Sequence, residues 1–464
     1  MRKIMVGVTM FFVVFVVSGC ATSGKGSTKK EAAGQTNSNM SYIDNGVIRL
    51  GVDLNVGGAI TYLAGSKKKV NVVNNYDWGR QIQMSFYSGP APYEPNGKKP
   101  HEKWKGLGWN PIQSGDVYEN RSTILKYKND GKKIYVKCRP MHWPLNNVPG
   151  ECTFESWIEL KGNAAYVRSR INNNRPDKTQ YGGRGQEQPA VYTNGVWWKL
   201  MSYSGDKPFT NDELTRIDKK WGPDINEASG EVWGNWHATE NWAALLDNTD
   251  WGLGVWSPGT YQILGGFFGK PGAGGTKDAP CGYISPVQQE ILDYNIVYEY
   301  RYVLILGTLD EIRQYVYEHS EKNRLPDYKF KKDRQHWIYS GAKDTGWPIK
   351  GELNILLDEG RSSFTGPLDF WRAEDASKLY IKAAYKMEST KARLYWKNFG
   401  DKGFSEEKSI GFDIKADGKY RTYELDLSGC PNYKGIIIGL RFDPVETGKK
   451  GEWVKIKSIS YSDK

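Results

Sequence analysis

Short runs in which apolar and polar residues alternate, cut at close intervals by Gly, Asn, Asp and Pro, constrain this chain more than any other feature. NGVIRLGVDL (45–54) alternates, Gly57-Gly58 turns the chain, and AITYL (59–63) alternates again. IYVKC (134–138), FESWI (154–158) and AYVRS (165–169) continue the pattern. A period of two puts one side of each run into a core, and such short spacing indicates antiparallel strands packed as a β-sandwich rather than βαβ units. The content of 52 glycines and 21 prolines suits a loop-rich β fold. One segment breaks the period. Thr308-x-x-Glu311 has capping-box spacing, and Ile312, Tyr315, Val316 and His319 follow at helical intervals, which makes His319 part of a packed stripe. Arg324-Leu325-Pro326-Asp327 stops that helix, and the basic stretch from Lys329 to Arg334 reads as a linker. From His336 onward LYIKAAYK, ARLYWKN, SIGFDIK, RTYELDL, GIIIGLRFDP and WVKIKSISYS follow in regular succession, as in a second β-sandwich. No repeat of solenoid or propeller period is present.

The N-terminus differs. Arg2 and Lys3 precede an apolar run from Ile4 to Val17, which is short for a membrane span and suited to a secretory signal. The run ends in Val17-Ser18-Gly19-Cys20, which resembles the lipobox of bacterial lipoproteins. That resemblance implies cleavage before Cys20, acylation of its thiol, and a place in the cell envelope facing outside the cytoplasm. Acyl chains hold a protein at a membrane because each buried methylene contributes about 0.8 kcal/mol. Residues 21–40 are small, polar and without aromatics, so they read as a tether. The expected organisation is a signal at 1–20, a tether at 21–40, a large β domain at 41–325, a linker at 326–334 and an accessory β-sandwich at 335–464.

The formal charge of +11 is spread along the chain with no dense Lys/Arg block, which together with export argues against nucleic acid as a partner. The lipid anchor is then the one expected contact with a membrane. After Cys20, four cysteines remain, and Cys138 and Cys152 flank one hairpin where a disulfide is geometrically plausible. The five histidines (101, 142, 237, 319 and 336) form no HExxH or clustered pattern, so neither a metal nor another cofactor is expected.

Two further resemblances concern the domains. The opening GVIRLGVDLNVGGAITYL with NNYDWGRQIQMSFYSGP (74–90) is similar to the start of a galactose-mutarotase-like β-supersandwich. The C-terminal run of Trp396, FSEEKSIGF, KYRTYELDLS and LRFDP resembles the jelly-roll-like accessory β-sandwich of secreted carbohydrate-active enzymes. These imply a mostly β chain, a large antiparallel β-supersandwich followed by a smaller jelly-roll-like sandwich. They also imply action on a poly- or oligosaccharide without choosing the reaction. The histidine motifs of the epimerases are not matched.

Aromatic residues point to the same substrate class. Most of the 18 tryptophans precede residue 334, and several sit in Gly/Asn-rich stretches: Trp104 and Trp109 in HEKWKGLGWNP, and Trp233, Trp236 and Trp242 in EVWGNWHATENW. Indoles stack on the C–H faces of sugars, although most tryptophans in such a chain fill a core. Glu187 (RGQEQPAVYTNG) and Glu240 (HATENWAALL) have aromatic neighbours that would raise their pKa values if buried. A glycoside hydrolase needs two such carboxyl groups facing one bond, so the pair is expected to open onto one cleft, with Asp116 (SGDVYEN) in reserve as carboxylate or substrate contact. His142 (RPMHWP) is a candidate acid/base, and His237, Trp236, Trp109, Tyr192 and Arg80 are candidate substrate contacts. A polysaccharide lyase acting on a uronic-acid glycan would instead use Arg80, Tyr87, His142 and Tyr192, and a non-catalytic glycan-binding lipoprotein is the third reading.

Overall fold

The computed structural model describes residues 39–217, 233–321 and 324–463, so the signal, most of the tether and Cys20 lie outside the described residues. The chain is mostly β. Among the described residues a nine-stranded antiparallel sheet runs in the order Thr215–Ile217, Lys199–Ser202, Trp242–Leu246, Trp251–Trp256, Val297–Thr308, Ala164–Asn173, Cys152–Lys161, Lys133–Arg139, Thr123–Asn129. A seven-stranded sheet faces it, in the order Trp233–His237, Gln262–Phe268, Cys281–Glu290, Arg184–Asn194, Gln83–Ser85, Pro111–Ile112, Met141–His142. The N-terminal strands Met40–Asp44, Ile48–Asp53 and Ala59–Gly65 form a third small sheet, joined to the seven-stranded one by an Ile60–Ile82 bridge.

Alternation decides which side of each strand meets the core. Phe154, Ile158, Val167, Ala243 and Leu245 from the larger sheet pack on Ile82, Met84, Phe86, Val191 and Ile284 from the smaller one. Beyond the larger sheet, Trp242, Ala244 and Leu246 point outward and are covered by Ile312 and Val316 of the helix Leu309–His319. The Thr308–Glu311 capping box is formed on both sides. Gly254 permits the close approach, because a Cβ there would stand 2.5 Å from Ile312 Cγ2. His319 is exposed rather than packed inward, its ring lying 4.2 Å from that of Tyr315. Cys138 and Cys152 are buried free thiols, not a disulfide.

Two six-stranded sheets enclose a second core built around Phe330, Trp337, Leu379, Trp396 and Phe442. The segment 326–334 is no linker. Asp327–Lys329 pairs with the closing strand Trp453–Ser460, Phe330 is fully buried, and Arg334 is buried between the sandwiches. Lys331 and Lys332 face solvent, but Tyr328, Phe330 and Arg334 around them are buried. Arg334 Nη2 bonds Asp293 Oδ2 at 2.6 Å, while Nε and Nη2 bond the two oxygens of Asp344 at 2.6 Å each. Gln180 Nε2 donates to the same two acids. Burial works against the guanidinium charge, but Asp344 and Asp293 outweigh it and hold the Arg334 pKa above its ordinary value. Nearby, His336 Nδ1 meets Glu290, and Gly183 leaves room for Ile338.

Removing one member of such a cluster strands the others. Arg334→Ala is expected to lower unfolding free energy by about 3–5 kcal/mol, measured by denaturant titration, because two buried carboxylates lose their cation. Arg334→Lys should recover only part of the loss, since one ammonium cannot reproduce a planar fork across two acids.

Candidate active site

The face of the seven-stranded sheet turned away from the core carries an unusual set of side chains. In Arg184–Asn194, Val191 points into the core while Ala190 and Tyr192 point outward. The ladder to Cys281–Glu290 is irregular between Glu187 and Val191. Pro189 lies in that interval and has no N–H to give to a ladder. Glu187 pairs in register with Val287 on one side and Ser85 on the other, so it stands at the middle of the sheet.

The residue is only 6% exposed, and its carboxyl is held by two phenols. Tyr87 donates to Oε2 at 2.8 Å, and Tyr283 donates to Oε1. Ser85 Oγ supports Tyr87 by donating to its hydroxyl at 2.9 Å. Burial raises the Glu187 pKa, and the bonds from Tyr283, Tyr87 and Ser85 offset only part of that rise. Burial, then the charge of Glu187, pushes Tyr87, Tyr192 and Tyr283 well above the ordinary phenol value, so all three remain protonated.

Aromatic rings flank this centre on both sides. Tyr192 stacks on Tyr283 with centroids 4.6 Å apart, and Trp233 meets Tyr283 edge-on at 5.1 Å. On the other side Tyr87 and Ile112 pack with Trp143, and half-buried Trp78 and Trp104 lie against them. Arg80 reaches across from the segment before Gln83. Its Nε lies 3.3 Å from Asp77 Oδ2, and Nη1 donates to the Ala279 carbonyl beside Cys281. Asp77 keeps 43% of its side chain exposed, and burial raises its pKa against the pull of Arg80.

Of the residues expected from sequence, Glu187, Tyr192, Arg80 and Tyr87 therefore meet on one face. The others do not join them. Glu240 is fully buried on the opposite side of the sandwich, beneath the helix. It accepts from Tyr317 at 2.6 Å, Phe209 N at 2.9 Å, Trp242 Nε1 at 3.0 Å and Arg313 Nη2 at 3.1 Å. Those four bonds tie helix to sheet, so Glu187 and Glu240 are not a catalytic pair. His142 points to the core side, 2.9 Å from Glu151, which also accepts from Trp109 Nε1 and Tyr93. Trp109 is fully buried there, edge-on to His142, with no face open to a sugar. Asp116 caps its own loop, accepting from Tyr118 N, Asn120 N and Asn147 N. Trp236 belongs to the core. His237 lies against Phe399 and Phe370 of the second sandwich, and burial lowers its pKa to about 3.

Ser85, Tyr283, Trp78, Trp143 and Asp77 were not singled out from sequence as parts of this site. Alternation could have placed Ser85 beside Tyr87, but nothing local distinguishes Tyr283 among 29 tyrosines. Among the described residues no group of His, Cys, Asp and Glu could hold a metal ion, and no helix is long and apolar enough to cross a membrane.

No protein-family model matches the sequence, and no curated protein matches it. Solved structures similar to it include a galactose mutarotase related enzyme from Lactobacillus acidophilus, 11% identical over 57% of this chain and 97% of that one, with a TM-score of 0.36. A galactose mutarotase-like protein from Lactobacillus casei is 12% identical over 57% and 99%, also at 0.36. A GH36 alpha-galactosidase from Geobacillus stearothermophilus is 9% identical over 63% and 44%, at 0.34. At that distance they assign no chemistry to this chain.

The raised pKa of Glu187 has a consequence for stability. The unfolded side chain titrates near the ordinary 4.5 and the folded one higher, so the folded chain binds the proton more tightly. Its contribution is present at low pH and is lost as pH rises through the folded value. Thermal unfolding of wild type and Glu187→Gln at steps between about pH 4 and pH 8 should show wild type losing ground to the variant as pH climbs. A constant difference would mean that the carboxyl is not buried.

Proposed function

We propose that this chain is a glycan-active enzyme that works on the outer face of its seven-stranded sheet, with Glu187 as general acid in glycoside hydrolysis. The observation that supports this reading is a buried glutamic acid, raised in pKa and oriented by Tyr87 and Tyr283, between two groups of aromatic side chains. A protonated carboxyl of this kind suits delivery of a proton to the leaving glycosidic oxygen. Hydrolysis needs a second carboxylate to activate water or attack the sugar. In this reading it is Asp77, which is accessible and held by Arg80.

A second reading, β-elimination from a uronic-acid glycan, is favoured by Arg80, which reaches Cys281 in the same cluster as Tyr192. There Arg80 would neutralise the substrate carboxylate, the Asp77 carboxylate beside it would take the C5 proton, and protonated Glu187 would give its proton to the leaving oxygen as the C4–O bond breaks. A panel of polysaccharides separates the readings. New reducing ends without ultraviolet absorbance of an unsaturated product mean hydrolysis, and with that absorbance they mean elimination. Binding without product would make the chain a glycan-binding lipoprotein.

Glu187→Gln is expected to lower turnover by about 10²–10⁴-fold while leaving the fold intact. Asp77→Asn should do the same under hydrolysis. An unchanged rate in Asp77→Asn would remove it from the mechanism.

The place of action in this proposal is the cell envelope, with the chain anchored through acylated Cys20. Cys20→Ser should then move the protein from the membrane fraction to the soluble fraction after cell lysis, and unchanged fractionation would sink the anchor.

A further inference from the structure

We propose that the glycan taken by this face is anionic, carrying carboxylate or sulfate, and that one acidic unit sits in the pocket beyond Trp78. The inference rests on the reading of the outer face as a glycan site and adds the charge of its ligand.

The pocket, of about 400 Å³, lies where the small N-terminal sheet abuts the seven-stranded one. That volume falls within the range of sites for small ligands. Trp78 forms one wall, and the same indole packs against the Tyr87–Trp143 cluster. Tyr87 in that cluster bonds Glu187, so one indole links the pocket wall to the group of rings that holds the buried acid. Tyr62 and Asn55 supply a second ring and an amide for hydroxyl contacts, and Arg121 and Lys277 supply two cations.

Charge bookkeeping around the face decides the sign of the ligand. Arg121 donates to Asn55 Oδ1 at 3.2 Å, and neither it nor Lys277 makes an ion pair among the described residues. Asp53 also lines the pocket and accepts from Asn55 N, leaving the cations in excess. Nearer Glu187, Arg184 spends its donors on the carbonyls of Ser88 and Leu107 and lies 6.0 Å from the Tyr87 ring. Lys103 lies over Trp104 and acts on Asp77 without forming an ion pair with it. On the acidic side, Asp77 is matched by Arg80, and Glu187 is buried between Tyr87 and Tyr283, away from the pocket's cations. Aromatic walls with unmatched cations are complementary to a sugar that carries a negative group.

The test uses the full mature chain and three sets of oligosaccharides of equal length: uronate-bearing, sulfated and neutral. Affinity is measured by calorimetry at low and high salt. At least tenfold tighter binding of one anionic set than of the neutral set, weakened by salt, is expected. Arg121→Ala/Lys277→Ala should reduce that affinity by about fivefold to tenfold and flatten its salt dependence, each exposed charge contributing modestly. Thermal stability of the variant should match wild type. Whichever anionic set binds identifies carboxylate or sulfate as the group read. Equal affinity for neutral and anionic sets, or an anionic affinity and salt slope unmoved in the double variant, overturns the inference. If neutral glycans are still bound and processed in a Glu187-dependent way, the glycan reading survives that failure. If no glycan of any charge binds, both fall.

Discussion

A strand offers two faces, and in this molecule nearly everything follows from how those faces are occupied. Packing Val191, Ile284, Met84 and Phe86 into the core obliges Tyr192, Tyr283, Ser85 and Tyr87 to point the other way. The hydrophobic core therefore builds the candidate site as its reverse side. A one-residue slip of Arg184–Asn194 would turn Glu187 into the core and expose Val191. The site depends on the register, and the register depends on the apolar residues that face the other sheet.

Buried charge is handled in three ways, each set by the surroundings. Glu240 meets four donors and becomes a clasp between helix and sheet. Arg334 is placed between two aspartates from different parts of the chain and seats the second sandwich against the first. Glu187 meets neutral phenols and no cation within bonding distance, so burial wins and its pKa rises. Two glutamates with similar aromatic neighbours in sequence thus take different parts, one tying a helix to a sheet and the other standing between phenols. The difference lies in Arg313, which the helix delivers to Glu240 and nothing delivers to Glu187.

The aromatic residues divide along the same lines. Trp109, Trp236 and Trp242 are core residues, although all three come from the Gly/Asn-rich stretches that first suggested sugar stacking. Trp78, Trp104 and Trp233 are half-buried on the outer face and keep surface available for a ligand. Side-chain type does not separate these groups. Position in the fold does: Trp233 and Trp236 lie on opposite faces of one strand, while Trp78 and Trp104 sit outside the strands, laid over the outer face.

The mostly β class, the capped helix at Leu309–His319 and a sandwich beyond residue 335 were all legible in the sequence. Each rests on local signals: a period of two, a capping box, and turn residues at short intervals. Glu187 was legible as a candidate because an acid with aromatic neighbours suits proton transfer, and Arg80, Tyr87 and Tyr192 because a uronate needs a cation and phenols around it, although Glu187 read as a loop residue and lies in the strand Arg184–Asn194. Their assembly was not, since Tyr283 and Ser85 reach Glu187 from distant strands and only pairing order brings them together. Pairing order also removed Glu240, by carrying it to the far side of the sandwich beneath a helix some 70 residues later in the chain. Local sequence determines which elements form and which of their positions alternate. Tertiary structure decides which alternating faces meet, and the chemistry of a buried acid follows from that meeting, because its pKa is set by neighbours that no sequence spacing records.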